Sequence, residues 1–291
     1  MGAHRYTLLD VFTATPLQGN ALAVVHGADA LEEPAMLALA RETRLSETTF
    51  VQRAEVAGAD YRARIWTVER ELPFAGHPSL GAAVAVARAE HGAAGDTCAR
   101  ELRYVQQTGA GLQPIDVRLD GPLAAHASML QEPAQLGAEL SRAVAAAAIG
   151  LTTEHADRDL PPQLAGSGLT QLILPLRDLD ALRRARPDWP AVERLLAVHG
   201  ATVLYAAVCD PAAAHARTRG FVSAAVGEDP ATGSAAGPLC AYLAARRDCP
   251  ALTIEQGAEM GRPSRIEAAM EGERPRVGGR VVVVADGTLH L

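Results

Sequence analysis

Apolar and polar positions change period many times along the chain, and the changes mark out short elements. YTLLDVF (6–12) and ALAVVH (21–26) read as strands around the turn TATPLQGN. Near-helical spacing of Leu37, Leu39, Ala40 and Thr43 predicts a helix over Glu33 to Arg44. TTFVQR (48–53) and YRARIWT (61–67) are strand-like again. ELPFAGH reads as a turn leading into a helix over 78–92, with Pro78 suited to its first turn and Gly92 to its end. LRYVQQT (102–108) and PIDVRL (114–119) return to the strand pattern.

The outline then repeats. AHASML (125–130) predicts a strand and a helix follows from about Ala138 to Ala148. TQLILPL (170–176) and TVLYAAV (202–208) are strands flanking a helix near Pro190 to Val198, and ARTRGFV (216–222) is a further strand. GEDPATGSAAGP (227–238) is a turn in front of the helix SAAGPLCAYLAARR (234–247). LTIEQ, RIEAA, RVVVVA and TLHL close the chain as strands. Thr152 to Ser167 is rich in proline and charge and fits no element.

Each half therefore holds strands around one alanine-rich helix, entered through FAGHPSLGAAVAVA in the first and PATGSAAGPLCAYLA in the second. A helix wrapped by sheet has no room for large side chains or a polar face. The pattern predicts two similar α+β halves facing each other across a cleft. The alternative is two helices that merely pack on a sheet face.

Composition narrows the chemistry. The 291 residues, 48% hydrophobic and 21% charged, suit one large domain or two ordinary ones with a sizeable core. A net charge of −7 argues against a nucleic-acid surface. No apolar run reaches the roughly 18 residues that span a bilayer, and MGAHRYTLLDVF lacks the basic head and apolar core of a signal peptide. Cys98, Cys209, Cys240 and Cys249 form neither a CxxC nor a disulfide ladder, so a reducing cytoplasm is expected. Metal-ligand spacing is absent, and no metal is expected. All 27 basic residues are arginine, which removes a Schiff-base lysine, pyridoxal phosphate attachment and the P-loop. The dinucleotide fingerprint is missing as well.

The two turns carry the candidate chemistry. A helix N-terminus has unpaired N–H groups and a partial positive charge, suited to a substrate carboxylate, and glycine allows close approach. The alternative is ordinary capping by Thr232 or Ser234, with Gly76 as a tight turn. Titratable groups favour a site: Asp229 before Pro230, and His77 where a cap would be Ser, Asp or Asn. A helix N-terminus is expected to keep His77 neutral. Glu47 in RLSETTF, between a helix and a strand, could move a proton at carbon. Ser234 lacks the GxSxG nucleophile elbow, and Cys240 reads as a buried small hydrophobe.

At these residues the chain resembles the phenazine-biosynthesis PhzF-like isomerases of the diaminopimelate-epimerase-like fold. DVFTATPLQGNALAVV, RLSETTFV, RIWT…ELPFAGHPSLGAA, QTGAGLQP, GEDPATGSAAGPLCAYL and EQGAEMGRPSRI carry the resemblance, in order and from end to end. It implies an α+β fold of two similar domains, each a curled, mostly antiparallel, barrel-like sheet around a central helix. The domains are expected over 1–118 plus 280–291 and over 119–279. It also implies a homodimer, no cofactor and a small carboxylated substrate. The expected catalytic residues are Glu47, His77 and Asp229, with Asn20, Gly76, Gly233 and Ser234 binding substrate. The expected reaction moves a proton between carbons, as in the isomerisation of 2,3-dihydro-3-hydroxyanthranilate. Val68, Glu69, Arg70 and Glu71 depart from the family pattern and are expected to reshape the pocket. An epimerase on the same fold would want a thiol in each turn, and neither turn has one. A binding protein that keeps the cleft without turnover would not need Glu47, His77 and Asp229 together.

Overall fold

The computed structural model describes residues 2–92 and 99–291, and Cys98 lies outside them. The chain divides into two compact units, Met1–Met129 with Gly278–Leu291, and Leu130–Val277.

In the first unit, β1 (Ala3–Val11), β2 (Asn20–Val25), β3 (Thr48–Gln52), β4 (Tyr61–Trp66), β6 (Arg100–Thr108), β7 (Gly111–Leu119), β8 (Ala124–Leu130) and the end of β17 (Arg274–His290) pair in ring order. The β8–β17 pairing shuts the ring into an eight-stranded barrel. The short β5 (Glu71–Leu72) hangs on β4. Inside lies α2 (Gly76–His91), buried from His77 to Ala87 and in contact with β1, β2, β3, β4, β6 and β7. Enclosure explains its composition. A Cβ added at Gly81 would fall 2.5 Å from Leu22 Cδ2 and 3.1 Å from Val11 Cγ2. Outside the barrel, α1 (Glu33–Thr43) lays Met36, Leu39 and Ala40 against Val25, Phe50 and Trp66.

In the second unit, β9 (Gln135–Glu139), β10 (Gln163–Ser167), β11 (Leu169–Pro175), β12 (Leu204–Asp210), β13 (His215–Ser223), β15 (Ala251–Gln256) and β16 (Ser264–Glu271) pair in that order, with β14 (Gly227–Asp229) on β13. α6 (Gly233–Arg247) touches β9 and β10 at one end of this series and β15 and β16 at the other, so the sheet curls around it. The other sheet face is covered by α3 (Arg142–Ala147), α4 (Leu179–Arg184) and α5 (Trp189–His199), packed on Leu172, Leu174, Leu204, Ala206 and Phe221. Both alanine-rich helices are thus enclosed by sheet. Among the described residues no helix is long and apolar enough to cross a membrane.

Several elements differ from the sequence reading. The helix expected over 138–148 is helical only from Arg142, because 135–139 forms β9 against β10. The unassigned stretch 152–167 ends in β10, which pairs with β11 across the tight turn at Gly168 and with β9 from beyond α3. Glu71 and Leu72, read as turn, form β5; Gly76 and His77 join α2 ahead of Pro78. RVVVVA and TLHL are one strand, bulged opposite Leu8 and Leu9. β8 pairs with β7 from Ile115↔Met129 to Leu119↔Ala125, which keeps it in the first compact unit, whose first segment runs to Met129.

A polar cluster, rooted in the buried Thr7 and reaching the surface at Asp286, closes the barrel seam. Thr7 Oγ1 donates to Asp286 Oδ1 at 3.0 Å, and Asp286 in turn pairs with Arg88 on α2 at 3.1 Å and Arg5 at 3.7 Å. That hydroxyl has one proton, so the 3.1 Å contact to His26 must use the ring's Nε2–H as donor. Burial, helped by Arg5, lowers the His26 pKa to about 4.

Two predictions follow from this packing. Gly81→Val, which overfills the space between α2 and the barrel wall, is expected to cost about 2 kcal/mol. Thermal unfolding followed by circular dichroism should show the melting temperature falling by about 5 °C. His26 binds a proton in the unfolded chain below pH 6.5 but in the folded chain only near 4. Stability is therefore full above pH 6.5 and is lost as pH falls toward 4, by on the order of 3 kcal/mol. Denaturant melts across that range should show this slope, and His26→Gln should flatten it.

Candidate active site

The first unit gathers four of the expected site residues at the mouth of α2. α1 ends in a left-handed C-cap at Arg44, whose N–H returns to Ala40 O. Three residues later Glu47 sits just before β3. Because β2 and β3 run parallel, with Ala23 opposite Thr48, the start of β2 lies at the same end. Ser46 Oγ donates to Asn20 Oδ1 at 3.3 Å and ties the two starts together. Asn20 itself is buried, held behind a loop in which Asp10 Oδ2 accepts the Leu17 N–H at 2.6 Å.

His77 stands on the first turn of α2 with its Nε2 3.4 Å from Glu47 Oε2; the side chains are 7% and 16% exposed. A charged pair is the first thought at that distance. Burial, however, lowers the His77 pKa to about 3, so the ring is neutral. The cause is loss of water around the ring, where the sequence reading expected the helix end to act. A neutral imidazole beside a carboxyl group leaves Glu47 as the member of the pair able to exchange a proton. No side chain caps α2: its N-cap is Ala75, and Pro78 has no N–H to satisfy. The Gly76 and His77 amides head the helix beside Glu47 and carry its positive end.

The second unit gathers the other three residues. Asp229 ends β14, opposite Gly220. Its neighbour Glu228 points the other way and accepts a fork from Arg219, at 2.9 Å from Nε and 2.7 Å from Nη2. Arg219 Nη1 also donates to the carbonyls of Leu182 and Ala185 at the end of α4, and its guanidinium lies over the Phe221 ring. This pins β14 and so aims Asp229 toward the α6 side. Thr232 occupies the N-cap position of α6 but does not cap it. Its hydroxyl donates to Asp229 Oδ2 at 2.7 Å. Gly233 and Ser234 begin the helix; Gly233 O accepts from Gln131 Nε2, and Ser234 Oγ meets Gln171 Nε2 at 3.5 Å. Thr232 thus takes the N-cap position expected by the capping alternative without making the side-chain bond, and Gly76 begins a helix rather than a separate turn.

Sequence reasoning missed the groups beneath this turn. Gln256 is buried on β15; it donates from Nε2 to Asp229 O and Thr232 Oγ1 and accepts the Thr232 N–H at Oε1. The Tyr205 hydroxyl donates to the same Oε1, and burial raises the phenol's pKa so that it stays protonated. The one signal in LTIEQ was register: Gln256 falls on the same strand face as the buried Leu252 and Ile254. Of the loop residues expected to reshape the pocket, Glu71 is taken up by a fork from Arg64, and Val68 O accepts from Arg41. Among the described residues no group of three His, Cys, Asp or Glu could hold a metal ion. Cys240 is buried, with its thiol on Pro250 O.

The chain as a whole is similar to known proteins. The family of phenazine biosynthesis-like proteins matches residues 9–287. The chain is 38% identical to trans-2,3-dihydro-3-hydroxyanthranilate isomerase of Pseudomonas aeruginosa, covering 99% of this chain and 100% of that one. A solved structure of a predicted epimerase from Pseudomonas aeruginosa is 33% identical with a TM-score of 0.85 over 99% of both chains. A PhzF-family protein of Bacillus anthracis is 26% identical, again with a TM-score of 0.85, over 100% of both chains. An enclosed helix with an acid and a neutral histidine at its mouth, on a chain related throughout to named isomerases, places this protein in the phenazine biosynthesis-like PhzF family as an isomerase.

Proposed function

We propose that the protein moves a proton between carbons of a small carboxylated substrate of the 2,3-dihydro-3-hydroxyanthranilate type, using only its own side chains. The carrying observation is the contact of Glu47 with a histidine that burial keeps neutral. In this reading Glu47 removes the proton from one carbon and returns it to another. His77, unable to take a charge, holds the carboxyl group in place and offers a ring nitrogen to the substrate. In the first unit the helix-heading amide of Gly76 suits a substrate carboxylate and Asn20 stands beside it; in the second the amide of Gly233 suits a carboxylate, and Asp229 and Ser234 suit polar groups of substrate. Similarity to the Pseudomonas isomerase supports the substrate class. A homodimer acting in the cytoplasm belongs to the same reading and rests on the family resemblance.

The epimerase reading has less support. Cys240 and Cys249 are buried on backbone carbonyls, burial raises all three described thiols, and none stands at a helix mouth.

Incubation with 2,3-dihydro-3-hydroxyanthranilate in D₂O tests the proton transfer. Wild type should give isomerised product carrying deuterium. Glu47→Gln should lose about 10²- to 10⁴-fold in rate, the usual worth of a positioned general acid or base. Equal turnover by both proteins would remove Glu47 from the mechanism. A second measurement concerns His77. Its pKa near 3 means that it stays uncharged from pH 5 to 8. The kcat/KM profile should therefore show no inflection near 6.5 that disappears in His77→Asn. Such an inflection would show a ring that titrates like an exposed histidine.

A further inference from the structure

The two units repeat one device, and the repeat works as a control. Glu71-Leu72-Pro73-Phe74-Ala75-Gly76 and Glu228-Asp229-Pro230-Ala231-Thr232-Gly233 each run from a short strand into the central helix. Trp66 pairs with Glu71 as Phe221 pairs with Glu228. Arg64 forks onto Glu71 and lies over Trp66, as Arg219 forks onto Glu228 and lies over Phe221. A Cβ on Gly109 would meet the Pro73 backbone, as one on Gly257 would meet Pro230 O. By this correspondence Leu72 stands where the second unit has Asp229, and Ala75 stands where it has Thr232.

The fold thus makes this turn with no hydroxyl at the helix entrance and no carboxylate three residues before it. The Thr232–Asp229 hydrogen bond is not what builds the turn. Nor does the hydroxyl serve α6, since it caps nothing. It donates its single proton to Asp229 Oδ2 at 2.7 Å while Gln256 Nε2 donates to it at 2.9 Å. Gln256 leaves Thr232 Oγ1 no better use of that proton than Asp229. Gln256 is itself fixed by Tyr205, which Thr218 Oγ1 addresses at 3.0 Å.

We propose that Thr232 is a positioning residue whose hydroxyl, oriented by Gln256, holds the Asp229 carboxylate for substrate, a role that rests on the reading of Asp229 as a substrate-binding group.

Steady-state kinetics with 2,3-dihydro-3-hydroxyanthranilate and thermal melts of the full chain test it. Thr232→Val and Thr232→Ala should lower kcat/KM by about ten- to a hundredfold, the worth of one hydrogen bond to a charged group. Thr232→Ser, which keeps the hydroxyl, should stay within about threefold of wild type. Gln256→Glu, which loses the donor and keeps the acceptor, should fall in the same direction as Thr232→Val. Folded variants should melt within a few degrees of wild type. Should Thr232→Val fail to fold, Thr232→Ala, the residue of the first unit's own turn, carries the test. Wild-type kcat/KM in Thr232→Val or Thr232→Ala would overturn the proposal. So would an equal loss in Thr232→Ser, which would mean that shape matters and the hydroxyl does not. Wild-type turnover by Asp229→Ala would instead remove the underlying role of Asp229, whatever Thr232 does.

Discussion

Lateral room governs this protein. α2 and α6 are each surrounded by strands, and a helix so enclosed carries mostly small side chains, with room for only a few larger ones such as Leu80, Leu239 and Tyr242. The same enclosure leaves only the helix ends as places for polar chemistry. At the N-terminal ends the amides point out of the barrel without a side-chain cap, and loops from the surrounding strands supply the acids. Site and core are therefore one construction: widening the helix would open the sheet that carries Glu47, and filling the helix mouth would cover its amides.

The two units spend the shared plan differently. The first has its carboxylate, Glu47, three residues past the left-handed end of α1 and just before β3. The corresponding place in the second unit, three residues past the left-handed Gly200 and just before β12, is the buried Val203. The second unit has its carboxylate at Asp229, where the first has Leu72. Each unit keeps one acid, at a different one of two repeated positions. Their surroundings differ in kind: a neutral buried ring beside Glu47, and a threonine hydroxyl on Asp229.

Much of this was legible in the chain because it is local. The glycine turns, the alanine helices and the placement of Glu47 between α1 and β3 are short-range patterns, and the motifs RLSETTF, FAGHP and DPATGS fall at the mouths of the two enclosed helices. What stayed hidden was made by distant partners. β10 follows a proline-rich stretch, and its second edge is taken by β9 from the far side of α3. β5 has two residues, too few to show a period, and exists through Arg64. Gln256 reads as one more polar residue of a strand, yet its bonds reach Tyr205 on β12 and Thr232 ahead of α6. The neutrality of His77 was anticipated for the wrong reason, since depth of burial cannot be seen in a tripeptide.

One feature of the connectivity bears on how the chain is made. The first unit's barrel is shut by the end of β17, which lies between β1 and β8. Leu130–Val277 must be synthesised before that strand exists. Until then the first seven strands of the ring can at most hold α2 within an open sheet, with β1 and β8 as its edges. The second unit can gather its strands around α6 first. The site that contains Glu47 and His77 is sealed last, although its residues are translated first.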